Sequence, residues 1–352
     1  MEQVKIEKTL YGTTENGIEV PSFTITNETS AYIELVAYGA TLNKIVVPDR
    51  DGNFTDVLVG FDTMAGQELC TDSQGRTVGR VANRIAGKGI TIDGENYQIT
   101  KNVDGKFTLH GNHEYAKAVW DSEIVSDNAV KFTYFSKDGN EGFPGNVQNA
   151  VTFSFDDENA VTIHYECVPD RKTAINVTNH SYFNLEGFDG GQISDHVLQL
   201  FCDAYTPTDT DCIPTGEIRS VTGTPFDFRL PKKIGRDVNH DDEQLKIGIG
   251  YDHNFQIENY DGTLKQFARV YEPKTGRVMR GYTDLPGVQL YIGNYMDGTQ
   301  IGKAGKALQY RQGFCLETQY FPDALNHAEF IPCVFTPDRP FISTTVFKFS
   351  AE

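Results

Sequence analysis

The chain is poor in the residues that mark many specialised proteins. It has one tryptophan, four methionines and six cysteines in 352 residues. The cysteines, at 70, 167, 202, 212, 315 and 333, form no Cys-x-x-Cys pair and match no zinc or redox spacing. They read as reduced thiols packed as small hydrophobes. Positive charge is also scarce: 31 Lys and Arg stand against 49 Asp and Glu, a net of -18. Phosphate backbones and anionic lipid repel such a chain, so nucleic acid and membrane surfaces are not expected as partners. No apolar run exceeds six residues even with glycine counted, far short of the roughly 20 that a membrane helix needs. The opening Met1-Glu2-Gln3-Val4-Lys5 is charged and lacks an apolar core, so no signal peptide is expected and the expected compartment is the cytoplasm. Three motifs are missing: Gly-x-x-x-x-Gly-Lys, Gly-x-Gly-x-x-Gly and the Gly-x-Ser-x-Gly nucleophile elbow. Nucleotide cofactors and serine hydrolysis are set aside with them.

What is present is alternation. Val161, Ile163, Tyr165 and Cys167 alternate with Thr162, His164 and Glu166, the pattern of a strand with one buried face, and it puts His164 on the surface side. Short runs rich in Val, Ile, Tyr, Phe and Thr recur at 32–38, 42–47, 56–61, 130–135, 151–155, 196–202, 267–271, 277–282, 288–292, 314–318 and 344–349. Turn residues punctuate them at 48–53, at Asp93-Gly94 and at 273–276. Helical periodicity is confined to 63–70 and 241–246. There is no repeat, linker or composition break, which predicts an all-β fold, a large antiparallel sandwich or barrel, as one domain over 1–352. Two long segments, 227–252 and the glycine-dotted 294–313, read as lids or binding loops.

Several polar groups sit in strand-like surroundings. His110 and His113 form His-x-x-His, a metal-ligand spacing that a polar turn after a strand explains more simply. His180 lies in Asn176-Val177-Thr178-Asn179-His180-Ser181-Tyr182-Phe183-Asn184-Leu185, with seven hydrogen-bonding side chains in ten residues. That is too polar for a sandwich core and too free of Gly and Pro for a turn. Buried polar groups must be paired, so this strand is either an internal network or the wall of a cleft that binds hydroxyls. Glu317 stands in the apolar run Gly313-Phe314-Cys315-Leu316-Glu317-Thr318-Gln319-Tyr320-Phe321-Pro322. It is either an outward-facing strand residue or a desolvated carboxylate whose raised pKa suits a general base. Asp252-His253-Asn254-Phe255 and Arg80-Val81-Ala82-Asn83-Arg84-Ile85 add further polar residues between aliphatic and aromatic ones. Together these segments describe a base, an imidazole and several hydroxyl-binding groups, with no convincing metal set.

Seven motifs in order resemble the aldose 1-epimerase family. They are Gly79-Arg80-Val81-Ala82-Asn83-Arg84-Ile85-Ala86, Leu109-His110-Gly111, Asn179-His180-Ser181-Tyr182-Phe183-Asn184-Leu185, Ile213-Pro214-Thr215-Gly216, Gly250-Tyr251-Asp252-His253-Asn254-Phe255, Pro286-Gly287-Val288-Gln289-Leu290-Tyr291, and Gly313 to Gln319 running into Pro322-Asp323-Ala324-Leu325-Asn326-His327. The resemblance spans nearly the whole chain, from Gly12-Thr13 to the last strand. It implies an antiparallel β-sandwich of the supersandwich kind, with a free hexose bound across one sheet and its α and β anomers interconverted without a cofactor or metal. By motif match it implies Glu317 as general base and His180 as general acid, with Asn83, Arg84, His110, Asp252 and Gln289 contacting sugar. Tyr182 and His253 join them by adjacency alone. A monomer or homodimer is expected. A non-catalytic carbohydrate-binding sandwich, an epimerase of hexose phosphates using Arg80, Arg84 and Lys88, and a glycosidase using Asp252 and Glu317 are the alternatives. One departure stands out: Asn112 follows Gly111 where the family commonly has a second glycine, and Asn tolerates positive φ best among the other residues.

Overall fold

The computed structural model describes residues 5–352; residues 1–4, most of the charged opening stretch, lie outside them. The architecture is antiparallel β throughout its three larger sheets. A nine-stranded sheet runs in the spatial order Asp121–Ser126, Ala129–Ser136, Val147–Phe155, Ala160–Pro169, Phe341–Ala351, Arg277–Thr283, Lys265–Tyr271, Val197–Leu200 and Lys232–Lys233. A five-stranded sheet holds Lys5–Thr13, Glu19–Thr26, Tyr32–Val36, Thr41–Pro48 and Phe54–Asp56. A second five-stranded sheet holds Arg219–Ser220, Cys202–Tyr205, Asp252–Ile257, Gly287–Tyr291 and Cys315–Gln319. Among the described residues, no helix is long and apolar enough to cross a membrane.

The alternation read from the sequence is the alternation of burial. Val161, Ile163, Tyr165 and Cys167 are buried, while Thr162 and His164 are half-buried and Glu166 is exposed. The inward faces meet in one apolar cluster that extends from Val20 to Phe349, each large side chain contributing roughly 1.5–3 kcal/mol by leaving water. Asp93-Gly94 joins Ile90–Ile92 to Glu95–Tyr97 with φ of 51° and 84°, the double positive φ of a type I′ hairpin. The two helices are short, as their sequence suggests. Met64–Leu69 is capped by the Thr63 hydroxyl, which accepts from Gly66 N–H at 3.1 Å. Glu243–Ile247 is capped by Asp242, which accepts from the N–H groups of Gln244 and Leu245.

Three expected elements are divided. The run 196–202 is two strands: Val197–Leu200 belongs to the nine-stranded sheet and Cys202–Tyr205 to the second five-stranded one, so the chain crosses between sheets at Phe201. The run 56–61 contributes the last residue of Phe54–Asp56 and the separate Leu58–Val59. The polar segment 176–185 is not one strand either. Thr178–Asn179 pairs with Thr77–Val78, and Tyr182–Phe183 pairs with Leu58–Val59. His180 and Ser181, between the two pairings, belong to neither strand.

Phe347 is central to this packing. It is 2% exposed, lies 4.9 Å from the Phe183 ring and 6.4 Å from Phe267, and so braces the strand that carries Tyr182. Phe347→Ala is expected to remove about 3–5 kcal/mol of stability, read as a lower urea midpoint with an unchanged slope.

Candidate active site

One cleft gathers residues from seven separated stretches of chain. Asn83, Arg84, His110, His180, Tyr182, Asp252 and Glu317 all line it. Thr71, Asp72, Leu109, His113, Tyr291 and Tyr295 complete the wall. Its floor is the second five-stranded sheet, where Asn254 stands opposite Gln289 and Gln289 opposite Glu317. Side chains two apart on a strand share a face. Asp252 and Asn254, Gln289 and Tyr291, and Cys315, Glu317 and Gln319 therefore all point the same way.

That periodicity corrects the reading of His253, which faces the opposite side. It is fully buried against Phe226, with ring centroids 4.7 Å apart, and one ring nitrogen lies 3.2 Å from Gln244 Oε1. Gln289 is on the cleft side but beneath the lining. Its Nε2 donates to Asp252 Oδ1 at 2.7 Å, and its Oε1 accepts from Gln319 at 3.3 Å. Arg84 reaches the other oxygen of the same carboxylate at 3.3 Å. Asp252 is thus held from two sides.

The Asn83 and His110 segments lock each other. Asn83 N–H donates to His110 Nδ1 at 3.1 Å, while His110 N–H donates to Asn83 O at 3.0 Å. The neighbouring Arg84 and Leu109 pair across a two-stranded ladder. Residues 110–113 all have positive φ, between 52° and 60°, a left-handed turn that L-residues resist. Gly111 is obligatory there, since a Cβ would lie 2.5 Å from Gly79 O and 2.6 Å from Arg80 N. Asn112 takes up φ 54° and donates to Glu141 Oε2 at 2.8 Å, which accounts for its place beside the glycine. Arg80 turns away from the cleft. It is fully buried and donates to the carbonyls of Pro144, Gly145 and Lys137.

At the centre, His180 Nε2 lies 3.6 Å from Glu317 Oε1. The imidazole stacks on Tyr182 at 5.1 Å and meets the His110 ring edge-on at 5.1 Å. Glu317 is 2% exposed, and its Oε2 has no hydrogen-bond partner. Burial raises its pKa well above 4.5, the negative Asp252 adds to that, and Arg84 opposes it. Burial drives His180 the other way, down to about 4. Both shifts favour the neutral forms of the two groups.

Donor atoms of His110, His180 and Glu317 lie within 4.8 Å of one another, close enough to raise the question of a metal. The His110 tautomer argues against ligation. Because Nδ1 accepts from a backbone N–H, the proton of the neutral ring sits on Nε2, which therefore offers a donor rather than a lone pair. The trio is equipped to bind hydroxyl groups.

Sequence reasoning missed Tyr291, although it is two residues from Gln289 on the same strand face. It also missed Thr71 and Asp72, for which local sequence gives no signal, and it set His113 aside as part of a polar turn. Tyr295 lies in the 294–313 segment read as a lid or binding loop, and it does line the cleft.

A β-sandwich that buries a carboxylate beside an imidazole, in a cleft of hydroxyl-binding groups, has the equipment of a proton-transferring enzyme on a polar substrate. Comparisons with known proteins narrow the class. The model of the family described as aldose 1-epimerase matches residues 21–348. The galactose mutarotase of Bos taurus is 40% identical over 320 residues, 90% of this chain and 91% of the relative. The aldose 1-epimerase of Escherichia coli (strain K12) is 35% identical over 335 residues, 94% of this chain and 95% of the relative. Among solved structures, galactose 1-epimerase from Lactobacillus acidophilus NCFM aligns with a TM-score of 0.85 at 28% identity, covering 99% of each chain. The chain belongs to the aldose 1-epimerase family, and it is an enzyme of the isomerase class.

The buried imidazoles make stability depend on pH. Burial holds His113, His180, His196 and His253 each at about 4. Burial first, then His180, His113 and Arg84, pushes His110 well below 6.5. The unfolded chain protonates these five rings near pH 6.5 and the folded chain does not, so stability is lost as pH falls from about 6.5 towards 4. Glu317 acts oppositely, since its raised folded value lets the native state keep a proton that the unfolded chain releases above its ordinary 4.5. Burial also raises Asp56, Asp284 and Asp323, so the five rings act against four carboxyl groups, whose ordinary values lie near 4 rather than 6.5. The urea midpoint is expected to drop clearly between pH 7 and pH 5, and an unchanged midpoint would refute this account.

Proposed function

We propose that this enzyme interconverts the α and β anomers of free hexoses such as galactose and glucose by opening and reclosing the pyranose ring. Glu317 takes the proton from the anomeric hydroxyl and His180 delivers one to the ring oxygen. The C1–O5 bond breaks with its electron pair going to O5, and the electrons of the O1–H bond form the aldehyde. Rotation about C1–C2 presents the other face of the carbonyl. The reverse transfers then close the ring, returning each proton to its origin. Asn83, Arg84, His110, Asp252 and Tyr182 hold the hydroxyls and the ring, and Gln289 acts through Asp252.

The observation that carries this reading is the buried approach of His180 Nε2 to Glu317 Oε1, 3.6 Å apart in a cleft lined by hydroxyl-binding groups. Ring opening converts an imidazolium and a carboxylate into an imidazole and a carboxylic acid. Burial favours the second arrangement, which is the one that accompanies the open-chain aldehyde. A dry cleft thus stabilises the side of the step that is otherwise hardest to reach.

Charge supports a neutral sugar. The lining holds three carboxyl groups, Asp72, Asp252 and Glu317, against one guanidinium, Arg84, which is committed to Asp252. Arg80 is spent on carbonyls and Lys88 is outside the lining, so a phosphate ester has no free cation to meet it. A glycosidase role for Asp252 conflicts with its bonds to Arg84 and Gln289, which hold it as an orienting anion. A purely sugar-binding role leaves a buried acid–base pair without a task. One apolar core from Val20 to Phe349 supports a single functional domain, and the mutarotase names of the relatives support a hexose substrate.

The test is polarimetry on freshly dissolved α-D-galactose and α-D-glucose with EDTA present. The protein is expected to speed decay to the same final rotation. Glu317→Gln and His180→Asn are each expected to slow it by about 10²–10⁴-fold, with sugar binding by calorimetry largely retained. Near-wild-type rates in Glu317→Gln would remove the base assignment, and no acceleration by the folded wild-type protein would point to a binding module. Activity on hexose phosphates alone would point to a phosphosugar epimerase.

A further inference from the structure

The acid of the proposed reaction has an unusual partner. His180 Nε2 faces Glu317, while Nδ1, on the other side of the ring, lies 3.5 Å from the sulfur of Cys315. Cys315 is fully buried and sits on the strand Cys315–Gln319, two residues before Glu317 on the same face. One short strand therefore carries both the carboxylate in front of the imidazole and the sulfur behind it. We propose that Cys315 is a positioning residue that accepts the Nδ1–H of His180, so that Nε2 is the nitrogen that exchanges protons in the cleft. The inference rests on the role assigned to His180 above.

The chemistry explains why sulfur suits the place. A neutral imidazole carries one proton, and Nε2 can take a proton from Glu317 only if that proton is on Nδ1. In the proposed arrangement the sulfur, together with the backbone carbonyl of His180, holds this tautomer. Sulfur is also a weak acceptor. A carboxylate behind the ring would stabilise the imidazolium and make it a poorer acid. A thiol orients the ring without doing so, which leaves an imidazolium able to protonate a weakly basic ring oxygen. The groups that face His180 from the surrounding elements are Glu317, Asp252, His110, His113, Tyr182 and Tyr291. None of them is a hydrogen-bond partner of Nδ1.

The test uses the full-length protein and begins without any variant. Nitrogen-15 chemical shifts of the His180 ring at neutral pH report the tautomer directly, independently of turnover. The Nδ1–H form is expected, and an Nε2–H ring in the wild-type protein overturns the proposal. Cys315→Ala is then expected to lower kcat by roughly tenfold with less than about a twofold change in KM, the split of an interaction used in the transition state. Cys315→Ser, which restores an acceptor, is expected to recover most of that loss and to move the acidic limb of the kcat profile upward, because oxygen accepts more strongly than sulfur. Variants whose kcat and pH profiles match wild type also overturn it. An Nδ1–H ring in a protein that does not accelerate mutarotation would leave the positioning intact and remove the reading of the reaction instead.

Discussion

Gln289 stands opposite Asn254 on one side and Glu317 on the other, and the cleft follows from that register. The ladder places Asp252, Tyr291 and Glu317 on one face, within reach of segments from three other parts of the chain. The other face, with Phe255, Val288 and Leu290, belongs to the apolar core. A slip of one residue would exchange the two faces and put carboxylates among phenylalanines. The core therefore specifies the site: the penalty for misplacing the apolar face is what fixes the polar one.

Burying that polar face creates a problem of charge. Three carboxyl groups and one guanidinium share a small, poorly hydrated volume. Asp252 remains paired by taking Arg84 on one oxygen and Gln289 on the other. Gln289 is in turn held by Gln319, whose Nε2 also lies 3.1 Å from Asn254 Oδ1. This chain of amides satisfies the buried acceptors without adding charge. Glu317 Oε2 has no such partner, and burial raises its pKa because an isolated buried carboxyl is less costly in its neutral form. The same desolvation suits the base role proposed for it, since a raised carboxyl pKa lies nearer neutral pH.

How much of this was legible depends on the range of the interactions. Alternation is a local signal, and it located most strands of the nine-stranded sheet, the one at Val161 among them, as well as the cleft strands at Val288 and Glu317. The helix caps at Thr63 and Asp242 are local as well. Polar residues in apolar runs also marked the cleft, because a carboxylate or an imidazole within a buried strand needs a reason to be there. What escaped depended on contacts between distant segments. Phe201 ends one strand and begins another because its two neighbours join different sheets. His253 looked like a cleft residue from adjacency, whereas counting by two from Asp252 assigns it to the core. Arg80 and Arg84 are indistinguishable in sequence, yet one caps buried carbonyls and the other meets Asp252.

The segment 294–313 shows the same limit from another angle. Its glycines and sparse apolar content suggest a mobile cover, but a buried cation pins it. Lys303 is 2% exposed and donates to Asp56 Oδ2 at 2.6 Å and to the carbonyls of Asn43 and Leu58 at 2.5 and 2.8 Å. An ammonium has three protons, and all three are used. Nearer the cleft, Tyr295 N–H donates to the Tyr291 hydroxyl at 3.0 Å, and Asn294 Nδ2 donates to the carbonyls of Gly248 and Tyr251. The segment is tied down at its start and at its middle, and Tyr295 within it is a fixed part of the cleft wall. A wall of this kind suits a reaction that only moves protons and turns an aldehyde. The groups must be aimed before the sugar arrives, and preorganised dipoles need no rearrangement when the charge shifts.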